Sequence, residues 1–191
     1  NISVVEFEST PSEAEINNLL SLINLSKPTA IGIDLKLPFE IVKSLNLVQL
    51  SDMHITLPNK DKDGIVRKAA CNDSFALAIS KLVNNKIKCV DDTININFTL
   101  NSNSMDIYKA SDILLGQQIP STAIVLIGLS PSVLNGTYQT PISLNNASDV
   151  EIEANLINTL ITDTQLITIP IYFSLFISSL FLTIFYLILI R

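Results

Sequence analysis

The last part of the chain, from Leu166 to Ile190, contains no charged residue and consists mainly of aliphatic, aromatic and hydroxyl side chains. As a helix at about 1.5 Å per residue it would be roughly 37 Å long, enough to cross a hydrocarbon core of about 30 Å with some tilt. Pro170 falls in the first turn, where its missing N–H is tolerated. The sequence therefore predicts a transmembrane helix over residues 165–191, preceded by a separate domain over residues 1–164.

The domain that precedes this segment is acidic. All 18 acidic side chains and all but one of the 12 basic side chains lie in residues 1–164. An acidic domain does not suit nucleic-acid phosphates or an anionic membrane surface, so we expect no nucleic-acid partner. The remaining basic residue, Arg191, follows the apolar segment. By the positive-inside tendency it places the C-terminus in the cytoplasm or stroma and the domain outside, in a periplasmic, extracellular or lumenal space. Because the chain begins at Asn1 rather than Met, we expect a leader or anchor to precede it.

Strand-like and helical apolar patterns alternate along the domain. The predicted strands are 3–7, 30–35, 53–57, 65–70, 87–90, 94–100 and 123–128. A first helix is predicted to begin at residues 11–13, and further helices are predicted at 75–83, 104–115 and 149–162. Residues 38–47 are predicted to form a short helix or an irregular crossover. This order of wholly apolar strands and helices predicts an α/β fold of three layers, with a largely parallel sheet covered by helices on both faces. Ligands of such sheets bind beyond the carboxyl ends of the strands. Asp34 with its loop, and Gly128 with the loop to Pro141, lie at such ends.

A charged turn begins at Asn59 in the stretch NKDKDGIVRKAA. The alternating carboxylates of Asp61 and Asp63, followed by Gly64, match the first half of an EF-hand calcium loop. The ninth position holds Arg67 and the twelfth holds Ala in place of the closing Glu. The pattern therefore favours a tight turn that leads into a strand, with Arg67 paired to nearby acid, over a calcium site.

Groups that could carry out catalysis are scarce. His54 is the only histidine, and the sequence contains no glycine-rich phosphate loop and no GxSxG motif. We therefore expect no enzymatic activity, no cofactor and no metal. Cys71 and Cys89 could form a disulfide in an oxidising compartment. They could equally remain two buried thiols on neighbouring strands, which is the arrangement we favour.

Three segments occur in an order that resembles a known family. They are PTAIGID at 28–34, DKDGIVR at 61–67 with SFALA at 74–78, and AIVLIG at 123–128 followed by Thr140-Pro141 and VEIEAN at 150–155. In this order, ahead of an apolar helix, they resemble the second class of CHASE domains, which are extracytoplasmic sensor modules frequent in cyanobacteria. The resemblance covers roughly residues 28–190. The candidate ligand or motif residues at these places are Asp34, Asp61, Asp63, Gly64, Arg67, Gly128, Thr140, Pro141 and Glu153.

The chain departs from the family's pattern in three places. The stretch between Asp34 and Asp61 is shorter than is usual in the family. Asn135-Gly136 stands where an Asp is common, and Asp149 and Glu153 stand where a Gly and a His are expected. The resemblance is therefore to a divergent and shortened member, in which the residues of any inherited ligand site have changed.

Two functions are compatible with this resemblance. One is a membrane-anchored, non-catalytic sensor domain that binds a ligand or partner outside the cytoplasm. The other is an accessory subunit of a larger membrane complex, which the shortened loop and the altered motif residues favour. Since the sequence stops at Arg191, either it is a fragment or we expect the domain to work without an effector, and the latter favours the accessory subunit. Heavy use of Asn, Ile and Lys is typical of an A/T-rich genome such as a plastid, and so suggests a thylakoid complex with the domain in the lumen. The expected partners are the lipid bilayer, other membrane-protein subunits or a second copy of the chain, and an unidentified small molecule.

Overall fold

The computed structural model describes residues 1–41, 46–50, 59–100, 105–121, 123–133, 138–166 and 171–189. The helices are α1 (Glu13–Leu25), α2 (Phe75–Val83), α3 (Ala110–Leu114), α4 (Asp149–Thr162) and α5 (Ile171–Leu189). The strands are β1 (Ile2–Phe7), β2 (Ala30–Ile33), β3 (Leu47–Gln49), β4 (Asn59–Lys60), β5 (Val66–Ala70), β6 (Thr93–Asn95), β7 (Asp106–Lys109), β8 (Ile124–Leu129), β9 (Tyr138–Thr140) and β10 (Ser143–Ala147).

The centre of the domain is a parallel sheet of five strands in the order β3-β2-β8-β1-β7. Its four pairings are all parallel. Side chains alternate between the two faces along each strand. Along β1, for example, Val4 belongs to one buried apolar cluster and Val5 to the other.

Helices cover both faces of this sheet. Helices α2 and α4 pack together on one face, where Phe75, Ile79 and Leu156 are fully buried. Helices α1 and α3 pack on the other face through residues such as Ile16 and Ile113. The predicted α/β fold of three layers is therefore confirmed.

The first helix illustrates how local sequence sets these elements. Ser12 and Glu15 form a capping box, in which the Ser12 hydroxyl accepts a hydrogen bond from the Glu15 N–H and the Glu15 carboxylate accepts one from the Ser12 N–H. The apolar residues that recur at helical spacing along this helix are buried: Ile16, Leu19, Leu20 and Ile23. Helices α2 and α4 likewise occupy the predicted ranges, each capped by a serine.

Two small antiparallel sheets accompany the central one. Strands β4, β5 and β6 form one sheet, and β9 and β10 form a hairpin. Cys71, which follows β5, forms a disulfide with Cys89. The favoured prediction of two free thiols is thus wrong, because the chain returns from α2 to β6 and brings the two Cα atoms to 5.8 Å.

Several predicted elements differ from those observed. The strand predicted at 87–90 does not form, since Val90 is 81% exposed and Cys89 is tied to the end of β5. The strand predicted at 94–100 is limited to Thr93–Asn95. The helix predicted at 104–115 divides into β7 and α3, because β7 pairs with β1 at the edge of the sheet. The strand predicted at 53–57 lies outside the described residues, as do residues 42–45 of the predicted 38–47 segment.

The C-terminal helix α5 is the feature on which the membrane prediction depended. Its 19 residues give a length of about 28 Å at about 1.5 Å per residue. The large apolar side chains of α5 that the structure describes are exposed, Tyr172 to 81% and Phe176 to 65%. Among the described residues, no helix combines the length and the apolar character that a membrane span requires. The predicted transmembrane helix at 165–191 is therefore not supported.

Candidate functional site

The carboxyl edge of the parallel sheet brings together side chains that lie far apart in the sequence. Asp34 comes directly after β2, and its N–H donates a 2.8 Å hydrogen bond to the carbonyl oxygen of Ile127 on β8. On the other side of β8, Glu6 near the end of β1 is in register with Gly128. Because parallel strands end at the same edge, the ends of β2, β8 and β1 form one continuous rim.

Helix α4 begins directly over this rim. A Cβ atom on Gly128 would lie 2.7 Å from Cβ of Val150, in the first turn of the helix. That distance is too short for two carbon atoms, so only glycine lets α4 approach β8 this closely. Gly128 therefore acts through packing, by setting how near the side chains of α4 come to the end of the sheet.

Two carboxylates of α4 face Asp34. Asp149 and Glu153 are four residues apart and so share one face of the helix. Glu153 is only 9% exposed, and its Oε2 atom is buried without a hydrogen-bond partner, as is Oδ2 of Asp34. Burial, reinforced by the charges of Asp34 and Asp149, raises the pKa of Glu153 well above its usual range. Burial and the charge of Asp149 raise the pKa of Asp34 to about 7.

The hairpin strand β9 completes the cluster. Burial and the neighbouring carboxyl groups, including a hydrogen bond to Asp149, raise the pKa of Tyr138 to about 12. Thr140 is buried two residues further along the same strand, and Pro141 is exposed in the turn that follows. We define the acidic cluster as Asp34, Asp149 and Glu153 together with the Tyr138 hydroxyl.

A second group of carboxyls lies at the N-terminus of α4. Ser148 and Glu151 form a capping box, and the Ser148 hydroxyl donates a 3.2 Å hydrogen bond to Glu6. Burial and the charge of Glu151 raise the pKa of Glu6 to about 6, although the Ser148 hydrogen bond opposes this rise. This contact joins the end of β1 to the start of α4.

Comparison with protein families identifies the chain. A family model described as CHASE2 domain matches residues 5–189. The chain belongs to the CHASE2 domain family. The resemblance inferred from the three segments is thereby confirmed, and the match begins earlier than residue 28, within β1. No curated protein and no solved structure matches this CHASE2 domain. Membership of the family makes the chain a sensor-type domain, of a family that is typically extracytoplasmic.

The Asp-Gly turn of this CHASE2 domain does not join the acidic cluster. The guanidinium of Arg67 donates to Asp61 at 2.8 Å and to Asp63 at 2.8 and 2.9 Å, while Gly64 has a φ of +80°. These hydrogen bonds, with that of the Ile65 N–H, hold the pKa of Asp63 at about 2. Over the described residues, no three His, Cys, Asp or Glu side chains are arranged to hold a metal ion.

The structure thus separates the predicted site residues into two sets. Asp34, Gly128 and Glu153 meet at the carboxyl edge of the sheet, with Thr140 on the adjoining hairpin. The four residues of the charged turn pair among themselves and stand apart, and Pro141 contributes a turn. Sequence reasoning missed Glu6, which carries the same signal as Asp34, a carboxylate near the carboxyl end of a strand. It also missed Tyr138 and Asp149 as site residues, since their convergence depends on how β9 and α4 pack.

Proposed function

We propose that this CHASE2 domain is a non-catalytic recognition module that binds a ligand outside the cytoplasm at the carboxyl edge of its sheet. The observation that supports this most directly is the pair of buried carboxyl oxygens, on Asp34 and Glu153, that have no hydrogen-bond partner. A buried polar atom without a partner costs free energy, which a ligand that donates hydrogen bonds there would recover.

The same geometry suggests how binding would be transmitted. Asp149 and Glu153 lie on α4, and α4 contacts β8 where Val150 meets Gly128. A ligand held between Asp34 and these two carboxylates would therefore bias the position of α4 on the sheet. Helix α5 follows α4 along the chain, so a shift of α4 provides a route to whatever α5 contacts.

A thermal-shift screen tests the proposal. Purified domain is mixed with a panel of small polar compounds at pH 8, and each compound that raises the melting temperature is tested again on Asp34→Asn and on Glu8→Gln. Glu8 is a surface carboxylate paired with Lys109, and its variant serves as the matched control for loss of one charge. A stabilising compound should lose its effect in Asp34→Asn and keep it in the control. Compounds that act equally on both variants would show that recognition lies elsewhere.

The outward location of the domain is also part of the proposal. The disulfide between Cys71 and Cys89 supports it, because disulfides persist in oxidising compartments. The test is protease protection in sealed vesicles of known orientation. Digestion of the domain by protease added on the cytoplasmic side would refute an outward location.

A second candidate function is that of an accessory subunit in a larger membrane complex, such as a thylakoid complex with this domain in the lumen. The exposed aromatic side chains of α5 favour it, since a helix with so many uncovered apolar groups is stabilised by contact with other apolar surfaces. The native protein, extracted in mild detergent, should then migrate with a much larger assembly. Migration as a small monomer or dimer would count against this function.

A further inference from the structure

Within the described residues, the charged neighbours of Asp34 and Glu153 in the acidic cluster are carboxyl groups and not basic side chains. The charged groups that act on Asp34 and Glu153 within the described residues are other carboxylates, and no described Lys or Arg forms an ion pair with either of them. The basic side chains that do pair are engaged elsewhere, Arg67 in the charged turn and Lys109 with Glu8. Buried carboxylates are ordinarily balanced by a cation or a proton.

The arrangement of these carboxyl groups limits which kind of cation could contact all of them. The carboxyl groups of Asp34, Asp149 and Glu153 act on one another electrostatically, yet they do not form a group that could coordinate one metal ion. A compact ion would therefore leave at least one of them without contact. A planar guanidinium presents five N–H donors in a fork and can donate to carboxylates on different sides at once.

Asp34 and Glu153 each hold a buried carboxyl oxygen that could accept a hydrogen bond from such a ligand. Oε2 of Glu153 and Oδ2 of Asp34 are acceptors without donors, and the Glu153 side chain is about nine-tenths buried. Glu153 lies on helix α4, whereas Asp34 follows strand β2 of the sheet. Charge-assisted hydrogen bonds from a guanidinium to carboxylates are among the strongest in proteins. We propose that the acidic cluster binds a small guanidino compound, bridged between Asp34 on the sheet and Glu153 on α4. This inference rests on the proposed recognition function and specifies its ligand class.

The probe is agmatine, tested by melting temperature at constant ionic strength and pH 8. At a concentration about ten times its dissociation constant, a ligand raises the melting temperature of a domain of this size by roughly 3 to 6 °C. Asp34→Asn and Glu153→Gln should each weaken binding by about tenfold or more, because each removes one acceptor carboxylate. The Glu8→Gln control should bind agmatine as the wild type does. Binding should weaken at pH 5, because the carboxyl groups of Asp34 and Glu153 hold protons there. The other polar groups near them are the Tyr138 hydroxyl and Asp149.

Matched compounds keep the result specific. Putrescine is a dication like agmatine but carries an amine in place of the guanidinium fork, and tetramethylammonium carries charge without any N–H donor. Equal stabilisation by either compound, or by sodium chloride, would overturn the proposal in favour of general charge screening, and a stronger response to calcium would overturn it in favour of a metal site. Because Asp34→Asn changes stability by itself, each change in melting temperature is measured against the same variant without ligand. If agmatine does not raise the melting temperature while another compound stabilises the wild type but not Asp34→Asn, guanidino compounds are rejected as the ligand class and the proposed recognition site is retained.

Discussion

Replacing Asp34 with Asn should stabilise the domain at pH 8 and change its stability little near pH 4. In the folded protein the pKa of Asp34 is about 7, above the ordinary value of 3.8, because the carboxyl is buried beside Asp149. A tenfold change in proton affinity between the unfolded and folded states corresponds to about 1.4 kcal/mol, so the cost of ionising this group in the fold reaches about 4 kcal/mol. The Asn side chain keeps nearly the same shape and carries no charge, so that cost disappears.

The direction of the pH dependence follows from the protons bound in each state. Between about pH 4 and pH 7 the folded protein keeps a proton on Asp34 that the unfolded chain has lost. The contribution of Asp34 to the stability of the wild type should therefore be greatest below pH 4, fall as the pH rises through this window, and level off above about pH 7. Glu153 and Glu6, whose pKa values are also raised, add to the same slope. The Asp34→Asn variant should lose its share of the slope and keep theirs.

The assay is urea unfolding followed by circular dichroism, at pH 4.5 and pH 8, for wild type, Asp34→Asn and Glu8→Gln. The expected gain for Asp34→Asn at pH 8 is up to about 4 kcal/mol, an upper value because the buried amide must itself find partners. The control should show no comparable gain. Equal stability changes at both pH values, or a wild type with no slope between pH 4 and 7, would refute the reasoning.

Three further outcomes follow from the packing, the disulfide and the charged turn. Gly128→Ala should destabilise the domain by about 1–3 kcal/mol, since its Cβ would press against Val150; an unchanged urea midpoint would show that α4 can move away at little cost. Replacing Cys71 and its disulfide partner with Ser should cost about 3 kcal/mol, as expected for a closed loop with a sequence separation of 18, and thermal unfolding with and without reductant measures it. Arg67→Gln should raise the pKa of Asp63 from about 2 toward its usual value, which NMR titration of the carboxyl group would measure. Calcium should leave the melting temperature of the wild type unchanged, and a calcium-dependent rise would restore the interpretation of the turn as a metal site.

Local sequence was sufficient where short-range rules decide the structure. The predicted helix start at residues 11–13 and the predicted strand at 123–128 match the observed α1 and β8, because capping, propensity and burial all favour the same conformation there. The charged turn was predicted for the same reason, since Asp63 accepts a hydrogen bond from the Ile65 N–H two residues later and Gly64 supplies the positive φ.

Long-range contacts decided the rest. The segment Asp106–Lys109 has the local pattern of a helix, yet it becomes a strand because β1 offers an edge with which it can pair. Cys71 and Cys89 were predicted to be free thiols, whereas the tertiary structure brings them together in a disulfide. The sequence alone shows that the C-terminal segment is apolar, whereas the length of its helix and the exposure of its side chains are properties of the tertiary structure.

The candidate site likewise depends partly on local sequence and partly on long-range contacts. The sequence by itself determined the α/β class, the family resemblance and the positions of Asp34 and Gly128 at strand ends, because periodicity and chain order are local properties. Only the tertiary structure brought Asp149 and Glu153 of α4 near Asp34, since these carboxyl groups lie more than a hundred residues apart in the chain and their placement depends on how closely α4 packs on the sheet. Electrostatic interactions between carboxyl groups vary with distance and burial rather than with sequence separation, which is why the acidic cluster becomes visible only in the folded molecule.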